Sequence, residues 1–370
     1  MKRRYKILGA IAGLLVATIS AGMLYVGHDA ACRAPPAPLA GAPLMKAIVY
    51  RCYGGPEVLK LEDVAKPVLA DNKILIKVHA ASANPLDWHY MRGLPYLVRL
   101  DAGVGAPEDI TMGVDFAGIV EAVGKDVKRF KPGDEVFGAK GGAFGEYVSM
   151  AENRAVALKP ANMSFEQAAA VPIAAITALQ ALRDKGHLQR GQKVLINGAS
   201  GGVGTFAVQI AKSLGADVTG VCSTRNVQMV RSIGADHVID YSKEDFTDGS
   251  LKFDLIFDTV GNHSLSELRR ALVPKATAIL IAGRGSQGEQ WLWPILGPAE
   301  AAAYSWFVSQ TFAGFLAEEN KEDLAVLGTL MQAGKLTPVI DRRYPLSETP
   351  AAIAYLEAGH ARGKVVIALE

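Results

Sequence analysis

Cysteine is scarce in this chain, and its acidic and basic residues nearly cancel. Cys32, Cys52 and Cys222 are the three cysteines in 370 residues. They lie far apart, so they form neither a disulfide framework nor a metal-ligand spacing, and a reducing compartment is expected for the body. With 39 Lys and Arg against 37 Asp and Glu, the formal net charge is +2. No basic excess remains to neutralise a phosphate backbone, so no nucleic-acid partner is expected. Half of the chain is hydrophobic, enough for two domains with cores of their own.

The chain does contain a strand–turn–helix text at Lys193 to Gly204, KVLINGASGGVG, running into TFAVQIAKSLGA. Val194, Leu195 and Ile196 read as a buried parallel strand, and Phe206, Ala207, Ile210, Ala211 and Leu214 recur at helical period. Between them, Gly198, Ala199, Ser200, Gly201, Gly202, Val203 and Gly204 form a turn spaced G-x-x-G-x-x-G. This is a variant of the dinucleotide fingerprint. Backbone N–H groups and the positive end of the helix face such a turn, and small side chains let a pyrophosphate approach.

From Met45 to about Pro160 the text is β-rich, with alternating segments broken at turns such as Lys131-Pro-Gly-Asp134. After Ser164 it becomes helical and then alternates strand with helix: Asp217 to Cys222, Phe253 to Asp258 and Ala276 to Gly283 read as strands. Such alternation predicts an α/β fold with a doubly wound parallel sheet. The chain closes on strand text at Lys364 to Ala368. It is therefore expected to return to the first domain.

Placed in order, these pieces resemble the medium-chain dehydrogenase/reductase superfamily, most closely its zinc-free quinone and enone reductase branch. The motifs are NPLDWHYMRG (Asn84 to Gly93), GVDFAG (Gly113 to Gly118), GDEVFG (Gly133 to Gly138), GAFGEYV (Gly142 to Val148), AAVPIAAITALQAL (Ala169 to Leu182), DTVGN (Asp258 to Asn262) and RGKVVI (Arg362 to Ile367). The resemblance implies a GroES-like β-barrel catalytic domain at 45–165 and 312–370, and a Rossmann NADP-binding domain at 166–311. The active site would lie between them, and pairing through the Rossmann sheets implies a homodimer.

An acid at the end of the second Rossmann strand would hold a ribose hydroxyl and repel a 2′-phosphate. Here that strand ends in Ser223, Thr224 and Arg225, two hydroxyls and a guanidinium. NADPH is therefore expected rather than NADH. The resemblance further implies that Thr177, Asn262 and Lys364 approach the nicotinamide end, that Gly261 takes part in cofactor binding and that Tyr241 lies near the adenosine.

Zinc-dependent relatives carry Cys where this chain has Asn84, and Gly-His-Glu where it has Gly113-Val114-Asp115. No metal is expected, since a catalytic zinc needs three protein ligands. Without a Lewis acid, hydride transfer to a quinone or an α,β-unsaturated carbonyl is easier than reduction of a simple ketone. Asn84 is a candidate donor to the acceptor oxygen, Asp87 is expected to orient the loop or the cofactor, and Tyr96 and Tyr53 are candidate proton donors. The alternatives are a membrane-tethered nucleotide-binding scaffold without turnover, and an alcohol dehydrogenase.

Two segments stand outside this pattern. Lys2, Arg3, Arg4 and Lys6 precede an uncharged stretch, Ile7 to Gly27, long enough to cross a bilayer as a helix. Residues 1–27 read as an uncleaved transmembrane anchor and 28–44 as an Ala/Pro-rich linker. A lipoprotein signal ending at Cys32 and a start at Met45 are the alternatives. The positive flank sends the body across the membrane, whereas cofactor supply favours the cytoplasmic face. The second segment, Gly285 to Gln310, is rich in Trp and is expected as a covered apolar loop, with membrane or subunit packing as the alternative.

Overall fold

The computed structural model describes residues 17–35, 41–281 and 293–369. In the first half, β1 (Leu44–Val49) and β2 (Lys60–Ala65) form an antiparallel ribbon. A seven-stranded sheet follows, from β3 (Lys73–Ala83), β4 (Asp115–Val123), β5 (Glu135–Ala139), β6 (Tyr147–Ala151), β7 (Val156–Leu158), β14 (Ile340–Pro345) and β15 (Lys364–Ala368). Its path is β14-β15-β3-β4-β5-β7, with β6 paired to β3. The chain does return to the first half, because β15 pairs antiparallel with β3, Val365 facing Ala83. Phe116, Phe144, Ile48, Ile74 and Ile76 pack together in this half and are almost fully buried.

The second half is a parallel sheet of six strands: β8 (Lys193–Asn197), β9 (Asp217–Cys222), β10 (His237–Asp240), β11 (Phe253–Asp258), β12 (Leu272–Leu280) and β13 (Thr311–Gly314). Their spatial order, β10-β9-β8-β11-β12-β13, reverses direction between β8 and β11. That reversal opens a crevice at the carboxyl ends of the strands, where such sheets take dinucleotides. The expected domain crossing at residue 312 falls inside β13, so the chain leaves this sheet only after Gly314.

The helix Gly202–Ser213 forms where its periodicity predicts, burying Phe206, Ala207, Ile210 and Ala211 against the sheet. Steric limits fix two of the turn glycines before it. Gly198 has φ +83° and lies so close to Thr259 that a Cβ would sit 2.3 Å from Oγ1. At Gly204 a Cβ would sit 2.1 Å from the Gly198 carbonyl oxygen.

At the N-terminus, residues 17–27 are helical, and no helix among the described residues is long and apolar enough to cross a membrane. The first part of the expected span, 7–16, lies outside the described residues. Beyond the helix the cysteine reading needs correction, because Cys32 and Cys52 are joined in a disulfide. Arg33 N–H donates to the Arg51 carbonyl at 3.0 Å, so the chain folds back beside the turn after β1 and brings the two cysteines together. A thioether lipid on Cys32 is incompatible with that bond. Residues 28–35, expected as linker, are bonded to the body at several points.

Of the Trp-rich segment, 285–292 lie outside the described residues. At its far end the covered-loop expectation fails, since Trp306 and Phe307 are 83 % and 84 % exposed.

Gly204→Ala pushes a methyl group against backbone that has no room to move. It should lower stability by about 1–3 kcal/mol, read as a reduced urea midpoint with unchanged slope.

Candidate active site

Three elements from distant parts of the chain meet beside the glycine turn. The helix Pro85–Arg92 begins at Asn84, with Pro85 at its first position, where a missing N–H costs nothing. Asp87 Oδ2 accepts from Asn84 N–H at 2.7 Å, closing a capping box. β4 begins at Asp115, whose pairing register sets it opposite Ser82 of β3. β15 begins at Lys364, and its side chain runs over the turn, where a Cβ on Gly202 would sit 3.3 Å from Lys364 Cδ. The Gly363 N–H also donates to the Ser200 carbonyl at 2.9 Å, tying the last strand to the turn.

Asp115 is fully buried and holds the cluster together. Its Oδ2 accepts from Ser82 Oγ at 3.0 Å and Asn84 Nδ2 at 2.9 Å, and lies 3.4 Å from Lys364 Nζ. Its Oδ1 accepts from the Ile173 N–H at 3.0 Å, at the start of the helix Pro172–Gln180. A carboxylate there is favoured by the helix dipole, and the same helix carries Thr177, whose hydroxyl donates to the Ile173 carbonyl. Lys364 Nζ also donates to Asn84 Oδ1. Burial pulls the Lys364 ammonium below the ordinary lysine range, against the opposing pull of Asp115. Burial likewise pushes the Asp87 carboxyl up to about 7, partly offset by the Asn84 N–H it accepts from.

The structure therefore brings together Asn84, Asp87 and Lys364, and adds Asp115 and Ser82, which sequence reading missed. It also corrects one role. Asn84 Nδ2 is committed to Asp115 and to the Ser82 carbonyl, so it does not present an amide hydrogen to an acceptor. Tyr53 and Tyr96 belong to a different group. Both rings flank buried Arg99, with its guanidinium carbon 4.5 Å from the Tyr53 centroid and 4.7 Å from that of Tyr96. The Tyr53 hydroxyl donates to the Gly103 carbonyl at 2.6 Å, so in this arrangement it is not offered as a proton donor.

The cofactor residues gather on the crevice. Ser200 to Gly202 lead into the helix Gly202–Ser213, and its N-cap, Gly201, supplies no side-chain cap, which leaves backbone N–H groups for an anion. Asn262 Oδ1 accepts from Asn197 Nδ2 at 2.9 Å, and the Gly261 N–H donates to Asp258 Oδ1. This turn packs directly on Gly198.

Ser223, Thr224 and Arg225 follow β9, and Tyr241 follows β10 at its side, 63 % exposed. One acid there escaped the sequence reading. Asp240 ends β10 opposite Cys222 and accepts from Thr224 Oγ1 at 2.6 Å. That Thr224 bond first, then two bonds from Ser242 and the Lys243 ammonium at 3.2 Å, hold the carboxyl well below its usual range. Arg225 bridges to the other domain, donating from Nη2 to the His360 carbonyl. These groups fit NAD(P)H: a turn that side chains would fill, open helix N–H groups, and cations beside the second strand.

Neither histidine near the cleft is placed as a ligand. His79 stacks on Phe165, and His89 stacks on Trp88 while its Nδ1 bonds to the Leu94 carbonyl. Among the described residues no group of three or more His, Cys, Asp or Glu could hold a metal ion.

Comparison with known proteins agrees with this geometry. Residues 70–160 match the model of the alcohol dehydrogenase GroES-like domain, and residues 233–367 a model described as zinc-binding dehydrogenase. A quinone oxidoreductase from Sus scrofa is 36% identical, covering 87% of this chain and 96% of its own. An NADPH-dependent alkenal/one oxidoreductase from Arabidopsis thaliana is 34% identical, covering 87% and 79%. The solved quinone oxidoreductase of Coxiella burnetii superposes with a TM-score of 0.78 at 33% identity, covering 89% of this chain and all of that one.

The buried Asp87 carboxyl gives a pH signature. Its native value, about 7, lies above its unfolded value near 3.8, so its contribution is full below 3.8 and is lost as pH rises toward 7. In urea unfolding across that range, the stability of wild type minus that of Asp87→Asn should fall as pH rises. A flat difference would mean that the carboxyl titrates normally. Asp115→Asn leaves the Lys364 ammonium buried without its counter-charge and should cost about 3–5 kcal/mol in the same assay.

Proposed function

Because this chain belongs to the medium-chain dehydrogenase/reductase superfamily, in its zinc-independent quinone oxidoreductase-like branch, we propose that it reduces quinones or α,β-unsaturated carbonyls with NADPH and without a metal. It is an NAD(P)H-dependent oxidoreductase of the quinone oxidoreductase and alkenal/one reductase type. One observation carries the finer reading. Where zinc-dependent relatives carry Cys and His-Glu, this chain has a closed hydrogen-bonded cluster of Asn84, Asp115 and Lys364 lying against the glycine turn.

NADPH, when bound, would supply the hydride, and the chain's own residues would supply position and field. The backbone N–H groups at Ser200 to Gly202 would hold the pyrophosphate. Arg225, with Lys243 offsetting Asp240, would hold the 2′-phosphate. Asp115 fixes the start of the helix bearing Thr177, and so its approach to the nicotinamide. Lys364 sets a positive charge at that end of the turn, where it would favour negative charge developing on an acceptor oxygen. An activated C=C or quinone needs no stronger electrophile.

The same proposal keeps the catalytic body on the cytoplasmic side of a membrane that Ile7–Gly27 anchors, within reach of both NADPH and lipid-soluble acceptors. It also includes a homodimer built through β13, which among the described residues has a neighbour on one side only in its sheet.

Full-length protein should oxidise NADPH with ortho- or para-quinones or enones far faster than with saturated ketones. Arg225→Ala should lower kcat/KM for NADPH by about 10–100-fold while leaving NADH turnover nearly unchanged. Turnover confined to simple alcohols would sink the assignment. Tight NADPH binding with no turnover of any acceptor would leave a nucleotide-binding scaffold in its place.

A further inference from the structure

One stretch, the end of the expected anchor and the start of the expected Ala/Pro-rich linker, is strapped onto the two separate segments that hold Tyr53 and Tyr96. From Val26 to Arg33 it makes a succession of bonds to the GroES-like half. Ala30 N–H donates to the Gly105 carbonyl at 2.9 Å, Arg33 N–H to the Arg51 carbonyl, and Cys32 is bonded to Cys52. The seat is shaped for it: a Cβ on Gly105 would lie 3.0 Å from His28 Nε2 and 3.2 Å from Ala30 Cβ.

Arg99 reads the strap from below. It is 3 % exposed, and its guanidinium donates to the Val26 carbonyl at 3.4 Å, the His28 carbonyl at 2.9 Å and Asp29 Oδ1 at 2.8 Å. Its fourth acceptor is the Gly93 carbonyl, at the end of the helix that starts at Asn84. Three of the four acceptors of a buried cation thus come from the strap, while both tyrosine rings lean on that same cation. Among the described residues, each hydrogen bond from 26–33 to the body ends on the GroES-like half, not on the nucleotide-binding sheet.

We propose that Arg99 is a positioning residue of the acceptor site, set by this strap, and that opening the Cys32–Cys52 bond loosens acceptor binding while sparing the nucleotide site. The proposal rests on the proposed function and on the expectation from sequence that Tyr53 and Tyr96, as candidate proton donors, stand beside the acceptor. Cys32 is exposed and Cys52 half-buried, so thiols reach the bond. A dithiol attacks one sulfur as thiolate, giving a mixed disulfide. Its second thiol then displaces the protein sulfur, so that the reagent loses two electrons as a cyclic disulfide and Cys32 and Cys52 gain two as thiols. The strap stays attached through residues 34–43, so the response is a shift in a docking equilibrium rather than loss of a segment.

The test compares full-length wild type, oxidised and dithiothreitol-treated, with the Cys32→Ser/Cys52→Ser double variant and with Arg99→Lys, which keeps the charge and loses the fork. Acceptor KM, kcat and NADPH KM are measured, together with amide exchange of residues 93–106 by mass spectrometry. Reduction should raise acceptor KM by roughly fivefold, with kcat and NADPH KM within about twofold, and should speed exchange in 93–106. The double variant should match reduced wild type and ignore dithiothreitol. Arg99→Lys should raise acceptor KM and respond to dithiothreitol less than wild type does.

Three results would each overturn the proposal: equal exchange and equal acceptor KM in oxidised and reduced protein, a dithiothreitol effect that persists in the double variant, or alkylation of Cys32 and Cys52 without prior reduction. If no acceptor turns over at all, the functional reading fails by itself. The exchange measurement then still decides whether the strap controls the loop.

Discussion

A buried ammonium is the constraint on which this site depends. Lys364 lies out of water, and a lone charge there would be expensive. It is tolerated because Asp115 stands 3.4 Å away and Asn84 accepts from it. Each partner is fixed in turn: Asp115 by Ser82, Asn84 and the Ile173 N–H, and Asn84 by the capping box it shares with Asp87. One ion pair thereby couples the last strand of the GroES-like sheet, the start of β4, the Asn84 helix and the helix carrying Thr177. The lysine stem also needs the bare Gly202 beneath it. The turn that would hold the cofactor and the buried cluster of Asn84, Asp115 and Lys364 are therefore one mechanical unit.

The adenosine end shows a different use of charge. Thr224, Arg225 and Tyr241 are exposed there, so selectivity rests on the local sign rather than on a dry ion pair. Asp240 would oppose a 2′-phosphate if its charge were open. Thr224, Ser242 and Lys243 all point hydrogens at it, which spends the carboxylate inside the protein. Arg225 then remains the group of that surface aligned with the second strand, held extended toward the His360 carbonyl.

How much of this was legible in the sequence follows from how far apart the interacting residues lie. The turn at Gly198 to Gly204 was readable because strand, turn and helix are consecutive and each has its own period. Asn84, Asp87 and Lys364 were found through motifs, but Asp115 and Ser82 acquire their roles only from the β3–β4 register, which places them opposite one another. Asp240 was missed because it reaches the second strand sideways, through parallel pairing with Cys222, and not from that strand's own end. The disulfide was invisible for the same reason. A separation of 20 residues carries no pairing signal until the chain folds back beside Arg51.

The strap also bears on where such a protein can work. NADPH is a cytosolic reductant, whereas a stable disulfide belongs to oxidising compartments. A body beyond the membrane would keep the disulfide and lack the cofactor. A cytoplasmic body would keep the cofactor and expose Cys32 to a thiol pool. These demands conflict only if the bond must be permanent. Disulfides that persist inside reducing compartments are mostly transient and sensing ones, and an exposed bond that clamps a strap over Arg99, with its chain still tethered after opening, suits that use. The proposed cytoplasmic placement and the proposed thiol sensitivity therefore support one another, and the bond's closed form would mark an oxidised cytosol in which the reductase binds its acceptors more tightly.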